Sequence, residues 1–331
     1  MIRPPGPLCK DRVQRHFRLP IGDTDFVIDH DARGRCLDRP QHLIHIPYAL
    51  GRIHNTIMFT VTSEIYGENN YQTTRDGGKV VSKFRFVYPE EKLAGIRTDK
   101  DGDLEVPRPK RGVIELEHSE ATELRLVGLQ VWRGALLLAD YLFTKKDEFS
   151  GKTLMELGAG VGLTSIAAGI HNPGRIYCTD VDLGCILKLI RGNVQRNSKL
   201  LRGTISVLEF DFLASKNDHS LDLLEAIDNS DIILAADVIY CDTLTDAFIS
   251  VLDNLLDRGC QTGRPKTIYM ALEKRYVFTL EDCDSVAPMY EYLVRQTLNK
   301  PWIMEHLPLD FPQYFEYDRC KQLVLIKITS R

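Results

Sequence analysis

Residues 154–163 read LMELGAGVGL, with glycines at 158, 160 and 162 and an acid, Glu156, two positions before the first of them. Glycine in a turn after a strand lets a ligand approach backbone that a Cβ would shield. A dinucleotide site uses G-x-G-x-x-G and seats the pyrophosphate on the N-terminus of the next helix. Here the spacing is G-x-G-x-G, and a carboxylate beside a pyrophosphate is repulsive. S-adenosylmethionine carries an ammonium and a sulfonium and no phosphate, so Glu156 favours it. Asp180 closes the next apolar run, 22 residues after Gly158, where a carboxylate can accept both ribose hydroxyls. That acid suits either cofactor; the spacing and Glu156 select the methyl donor. A purely structural strand-to-helix turn is the plainer alternative for the glycines alone.

These residues need strands that end together. From about residue 128 short apolar runs alternate with amphipathic stretches. LQVWRGALLLADYLFTK has helical spacing. Strands are expected at KTLMELG, RIYCTD, TISVLEFD, DIILAADVIY and TIYMALEKR, with WIMEHL and KQLVLIKI closing the chain. TISVLEFD and DIILAADVIY follow one another with no helix assigned between them. Helices are expected after Val161, at DLGCILKLIRGNVQRN, at LTDAFISVLDNLLD and near 286–297. Such alternation predicts a doubly wound α/β fold with a largely parallel sheet, one of the last two strands running antiparallel. Ligands of such sheets bind beyond the carboxyl ends of the strands.

Residues 1–112 differ in texture and are read as a partly β N-terminal extension ahead of a catalytic domain at 113–331. RIHNTIMFTVTSEIY and GGKVVSKFRFVY are β-rich, and 97–112 reads as a polar linker. Within it PRPKR resembles a nuclear-import patch, although a solvated linker explains it more simply. The 331 residues are 44% hydrophobic and 27% charged with net charge −4, which gives no global pull toward nucleic acid or membrane. No run approaches the ~20 apolar residues of a bilayer span. The N-terminus lacks the apolar core of a signal peptide. Eight cysteines without a C-x-x-C pair predict reduced thiols in an intracellular protein and no metal.

ELGAGVGL, TDVD, the N-x-x-x-N of GNVQRN and AADVIY, in this order, resemble methyltransferase family 16, the seven-β-strand protein methyltransferases. The family's Asp-x-x-Tyr after the fourth strand stands here as Asp237-Val238-Ile239-Tyr240. The resemblance covers 113–331 and implies a Rossmann-like sheet of order 3-2-1-4-5-7-6, S-adenosylmethionine as donor and a protein lysine as acceptor. Carried over, Gly158, Ala159 and Gly160 line the methionine portion and Asp180 the ribose. Trp132 matches an aromatic that closes the cofactor cleft; a core tryptophan is the equal alternative. Where the family has Asp-Trp against the adenine, this chain has Asp211-Phe212, which still stacks but loses the indole N–H. Ala236 fits a pocket wall, or is simply the last residue of a buried strand.

A neutral amine can displace a sulfonium methyl directly, so an enzyme must position, desolvate and help deprotonate the lysine. Asp237 can aim the nitrogen and Tyr240 can favour its cationic form by a cation–π contact. Asp237 could instead cap a helix, although Asp242 or Thr243 is better placed for the helix that follows. Glu273 is a second carboxylate at the same sheet edge, or else a surface partner of Lys274 or Arg275. Enzymes that methylate planar amides or base nitrogens carry Asn-Pro-Pro-Tyr here, so the absence of prolines argues against DNA and glutamine. Methylation of a small amine or another side chain, or a non-catalytic binding module, are the alternatives. The resemblance further implies a lysine-bearing protein partner, chaperones and nucleic-acid-associated proteins being candidates, no direct nucleic-acid or membrane partner, a monomer, and the nucleus or cytoplasm.

Overall fold

Seven strands build the main sheet: β1 Leu154–Leu157, β2 Arg175–Asp180, β3 Thr204–Glu209, β4 Ile232–Ala236, β5 Thr267–Glu273, β6 Trp302–Leu307 and β7 Leu323–Ser330. The structure, a computed structural model, describes residues 14–18, 25–29, 60–68, 71–76, 79–90, 109–172, 174–279 and 284–331. The strand order is 3-2-1-4-5-7-6. β1 to β5 pair in parallel and β7 runs antiparallel to both β5 and β6. Central β1 is buried along its whole length and β4 along all but its last residue. Burial on both faces is why such strands read as unbroken apolar runs.

The longer helices among the described residues are α1 Arg133–Thr144, α2 Leu163–His171, α3 Ile186–Arg196, α4 Leu221–Asn229, α5 Asp242–Gln261 and α6 Pro288–Thr297. α1 packs on β4, β5 and β7 and against α2. α4 is a correction: TISVLEFD and DIILAADVIY are joined by a helix, as parallel strands require a crossover. Its start was legible, since Ser220 caps it by accepting from the Leu223 amide at 3.2 Å. A second correction concerns Leu124–Thr144, whose 21 residues are apolar enough by composition to cross a bilayer. The segment is instead a 3-10 turn, Leu124–Leu129, followed by α1, whose Leu136, Leu137, Leu138, Ala139 and Phe143 are core.

A three-stranded antiparallel sheet, Gln72–Asp76, Lys79–Val87 and Arg111–His118, lies ahead of α1. Phe84, Phe86, Ile114 and Leu116 join it to the same core as α1 and α2. A division of the chain at residue 112 would fall inside Arg111–His118. The expected strand at 52–66 lies outside the described residues up to 59; beyond them, Ile65–Glu68 is a helical turn. The linker expected at 97–112 lies outside the described residues up to 108. Its end is a correction, since Arg111, the last residue of the basic patch, and Gly112 open the strand Arg111–His118.

Asn193 and Asn197, one turn apart on α3, bind Arg111–His118 as a neighbouring strand would. Asn193 accepts from the Glu117 amide at 2.8 Å and donates to its carbonyl at 2.9 Å. Asn197 does the same to Glu115 at 2.9 and 2.7 Å. The ~6 Å rise between residues four apart on a helix nearly matches the ~6.7 Å between alternate strand residues. The N-x-x-x-N spacing is therefore a docking device.

Two compact units emerge. The larger comprises Thr60–Val238, Ala247–Glu273 and Asn299–Arg331; Ile239–Asp246 and Lys274–Leu298 belong to the smaller. In the smaller unit Asp284–Val286, Val277–Thr279, Gln14–Arg18 and Asp25–Asp29 form an antiparallel sheet in that order. There Tyr292 donates its hydroxyl to Asp246 at 2.9 Å, and Lys274 sits 4.1 Å over the Tyr290 ring.

Candidate active site

The carboxyl ends of β1, β2, β4 and β5 bring together Gly158 to Gly160, Asp180, Asp237 and Glu273. At the turn after β1, Gly158, Gly160 and Gly162 all have positive φ, a conformation glycine adopts freely. Val238 packs on Gly158, where an added Cβ would meet its Cγ1 at 2.8 Å and approach Phe212 at 3.9 Å. A Cβ on Gly160 would lie 2.9 Å from the carbonyl oxygen of Gly128, so the 3-10 turn Leu124–Leu129 also closes on this loop. Ala159 is buried and donates its amide to Thr179 at 2.9 Å.

Asp180 accepts from the Gly160 amide at 2.7 Å and the Val181 amide at 2.8 Å. Burial raises its pKa to about 6, although both amides pull the other way. Asp211 and Phe212 follow β3 and are half-buried. Asp211 accepts from the Leu213 amide at 2.9 Å, and the Phe212 ring lies between Phe210 and Phe248 at 5.5 and 5.7 Å. Ala236 is half-buried at the tip of β4. Trp132 donates its indole N–H to the Val127 carbonyl at 2.9 Å and is half-buried.

Glu156 is the residue the structure redirects. Its carboxylate is 1% exposed and accepts from both the amide and the hydroxyl of Ser165, at 2.9 and 2.5 Å. It ties β1 to the first turn of α2, where a helix N-terminus favours an anion. Any attraction for a cationic ligand therefore acts through space. Burial raises its pKa to about 7, against the Ser165 and Thr164 hydrogen bonds that lower it. The ordinary value is 4.5, so between those pH values the folded state holds a proton that the unfolded state releases. Wild type should lose stability relative to Glu156→Gln as pH rises from 4.5 to 7, by ~2–3 kcal/mol in all, with no further change above. Urea midpoints for both proteins across pH 4–8 check this, and parallel curves would refute it.

Asp237 has φ 51, a left-handed conformation rare outside glycine. Its Oδ2 accepts from the Gly134 amide at 2.7 Å and its Oδ1 from the Glu273 amide at 2.9 Å, while its own amide donates to Ala271 at 2.9 Å. It thus does cap a helix: α1, a hundred residues earlier, whose N-cap Trp132 supplies no side-chain bond. Gly134 makes this possible, since a Cβ there would meet Oδ2 at 2.6 Å. Glu273 pairs with Arg133 at 2.5 Å, and Arg133 also binds Glu68. Glu68, Gly128, Arg133 and Gly134 were not singled out in the sequence; a glycine in the first turn of an otherwise apolar helix was the one signal. Tyr240 is half-buried in Ile239–Asp246 of the smaller unit.

A sheet of order 3-2-1-4-5-7-6 with a glycine turn after its first strand and an acid at the tip of the next defines the seven-stranded class of methyltransferases. The chain belongs to the lysine methyltransferase family, whose model matches residues 112–284. It is 36% identical over 257 residues to Methyltransferase-like protein 22 of Mus musculus, covering 71% of this chain and 64% of that protein. The Homo sapiens protein of that name is 37% identical over 241 residues, covering 66% and 58%. Protein-lysine N-methyltransferase EEF2KMT of Mus musculus is 29% identical over 217 residues, covering 62% and 59%. The chain therefore spans less than two thirds of the length of each of these relatives.

Proposed function

We propose that the protein transfers a methyl group from S-adenosylmethionine to a lysine side chain of a protein substrate. The observation that carries this reading is the Asp237 carboxylate, held by two backbone amides at the tip of β4 while the next residue packs on the glycine turn. In this reading Gly158, Ala159 and Gly160 hold the methionine portion and Asp180 the ribose. Asp211 and Phe212 meet the adenine, with Ala236 as a wall and Trp132 closing the cleft. Asp237 aims the neutral amine. The Tyr240 ring draws the lysine in as its cation, and the ammonium gives a proton to solvent. The freed nitrogen lone pair forms the N–C bond as the C–S bond breaks, with sulfur keeping the electron pair.

Tritiated S-adenosylmethionine added with the protein to a lysate of cells lacking it should label a protein on lysine, identified by mass spectrometry. Label on another side chain or on small molecules alone would overturn the lysine assignment. Gly160→Ala should weaken donor binding about tenfold, since the Cβ strains a positive φ and displaces Gly128. Calorimetry checks this; heat from NAD and none from S-adenosylmethionine would sink the cofactor assignment. The reading also includes a monomer in the nucleus or cytoplasm, tested by light scattering and cell fractionation.

A further inference from the structure

We propose that Glu68 and Arg133 are positioning residues for methyl transfer, acting on Asp237 through the chain Glu68–Arg133–Glu273. This rests on the reading of Asp237 as the group that aims the acceptor nitrogen.

Arg133 and Gly134 are the first two residues of α1. The Gly134 amide holds one Asp237 oxygen and the Glu273 amide holds the other. The Arg133 guanidinium in turn binds the Glu273 carboxylate through Nη1 and Glu68 through Nη2. The links close a ring: Asp237 to Gly134, along the chain to Arg133, across to Glu273, and from its amide back to Asp237. Glu68 fastens the ring from outside. Arg133 and Glu273 side chains are each 10% exposed and that of Glu68 is 20% exposed, so solvent screens these pairs little.

Such a ring is what Asp237 needs. A non-glycine residue at positive φ persists only where its surroundings over-determine it. The planar fork of arginine can bridge two carboxylates at fixed geometry, which the point charge of lysine cannot. Glu68 lies outside the family match, which begins at 112. The segment ahead of that match thereby gains a part in the transfer step.

The test uses the full chain, the lysate of cells lacking the protein as acceptor, and tritiated S-adenosylmethionine. Glu68→Gln and Arg133→Lys should each lower kcat about tenfold while the donor KM and calorimetric Kd stay within twofold. The double variant should lose about tenfold, not a hundredfold, because both act through one chain. A kcat within twofold of wild type in Glu68→Gln overturns the proposal. So does loss of donor binding in both single variants, which would make the ring part of the fold alone. Absence of lysine labelling by wild type would instead overturn the functional reading itself.

Discussion

Asp237→Asn should lower the rate of lysine methylation roughly 30- to 1000-fold while leaving donor affinity within a few-fold. The side chain keeps its shape but loses the charge that attracts and aims the amine. It also fails as an acceptor on one side. The Gly134 and Glu273 amides each point at one carboxylate oxygen, and an Asn side chain must turn its NH₂ toward one of them. An N–H facing an N–H unpins that end of the loop, so part of the loss comes from aim and part from charge. Donor affinity changes little because the Asp237 side chain is not among the proposed donor contacts. Tyr240→Phe should be milder than Tyr240→Ala, since the ring keeps ~1–2 kcal/mol of attraction for the cation. Single-turnover labelling, with calorimetry on each variant, makes the measurement. Full activity in Asp237→Asn would reduce that carboxylate to a helix cap and move the assignment to Glu273.

Asp140→Ala should destabilise the fold by about 3–5 kcal/mol, the usual result of stranding one member of a buried ion pair. Asp140 is fully buried midway along α1. One oxygen accepts from the Tyr314 and Phe315 amides at 2.7 and 3.0 Å, the other from the Tyr317 hydroxyl and the Arg319 guanidinium at 2.9 and 2.6 Å. Arg319 also donates to the Phe311 carbonyl at 2.6 Å and lies 4.6 Å over the Phe311 ring. A single carboxylate thus pins the loop between β6 and β7 onto the core. Removing it leaves a cation, a hydroxyl and two amides without their acceptor. Asp140→Leu combined with Arg319→Met should recover much of the loss, because no unpaired charge remains. Urea unfolding followed by circular dichroism decides. A shift below about 1 kcal/mol for Asp140→Ala would show that the loop repacks without its anchor.

The contrast between Asp140 and the strands shows what a sequence can disclose. RIYCTD and WIMEHL are strands to the residue; in RIYCTD, buried beyond Arg175, the sheet imposes a local run of apolar residues. In the sequence Asp140 only interrupts an apolar run, since its four donors lie more than 170 residues away. The same holds for Asp237, whose capping partner Gly134 is 103 residues distant. Glu156 was noticed for its charge, but the Ser165 hydrogen bonds that bury it depend on how α2 meets β1. The α4 helix is a different case. Its Ser220 cap and the apolar spacing of Leu223, Ala226 and Ile227 stand in the sequence between the two strands, so this helix is legible there.

The amide ladder from α3 has a consequence for solubility. Arg111–His118 is the outer strand of its sheet, and its unpaired peptide groups would be a template on which another chain could add a strand. Asn193 and Asn197 occupy the peptide groups of Glu115 and Glu117 with side chains borne on a helix. A helix has no backbone hydrogen bonds to offer laterally, so pairing stops there. The sheet is terminated by an element that cannot be extended, and this edge is closed to fibril-like growth.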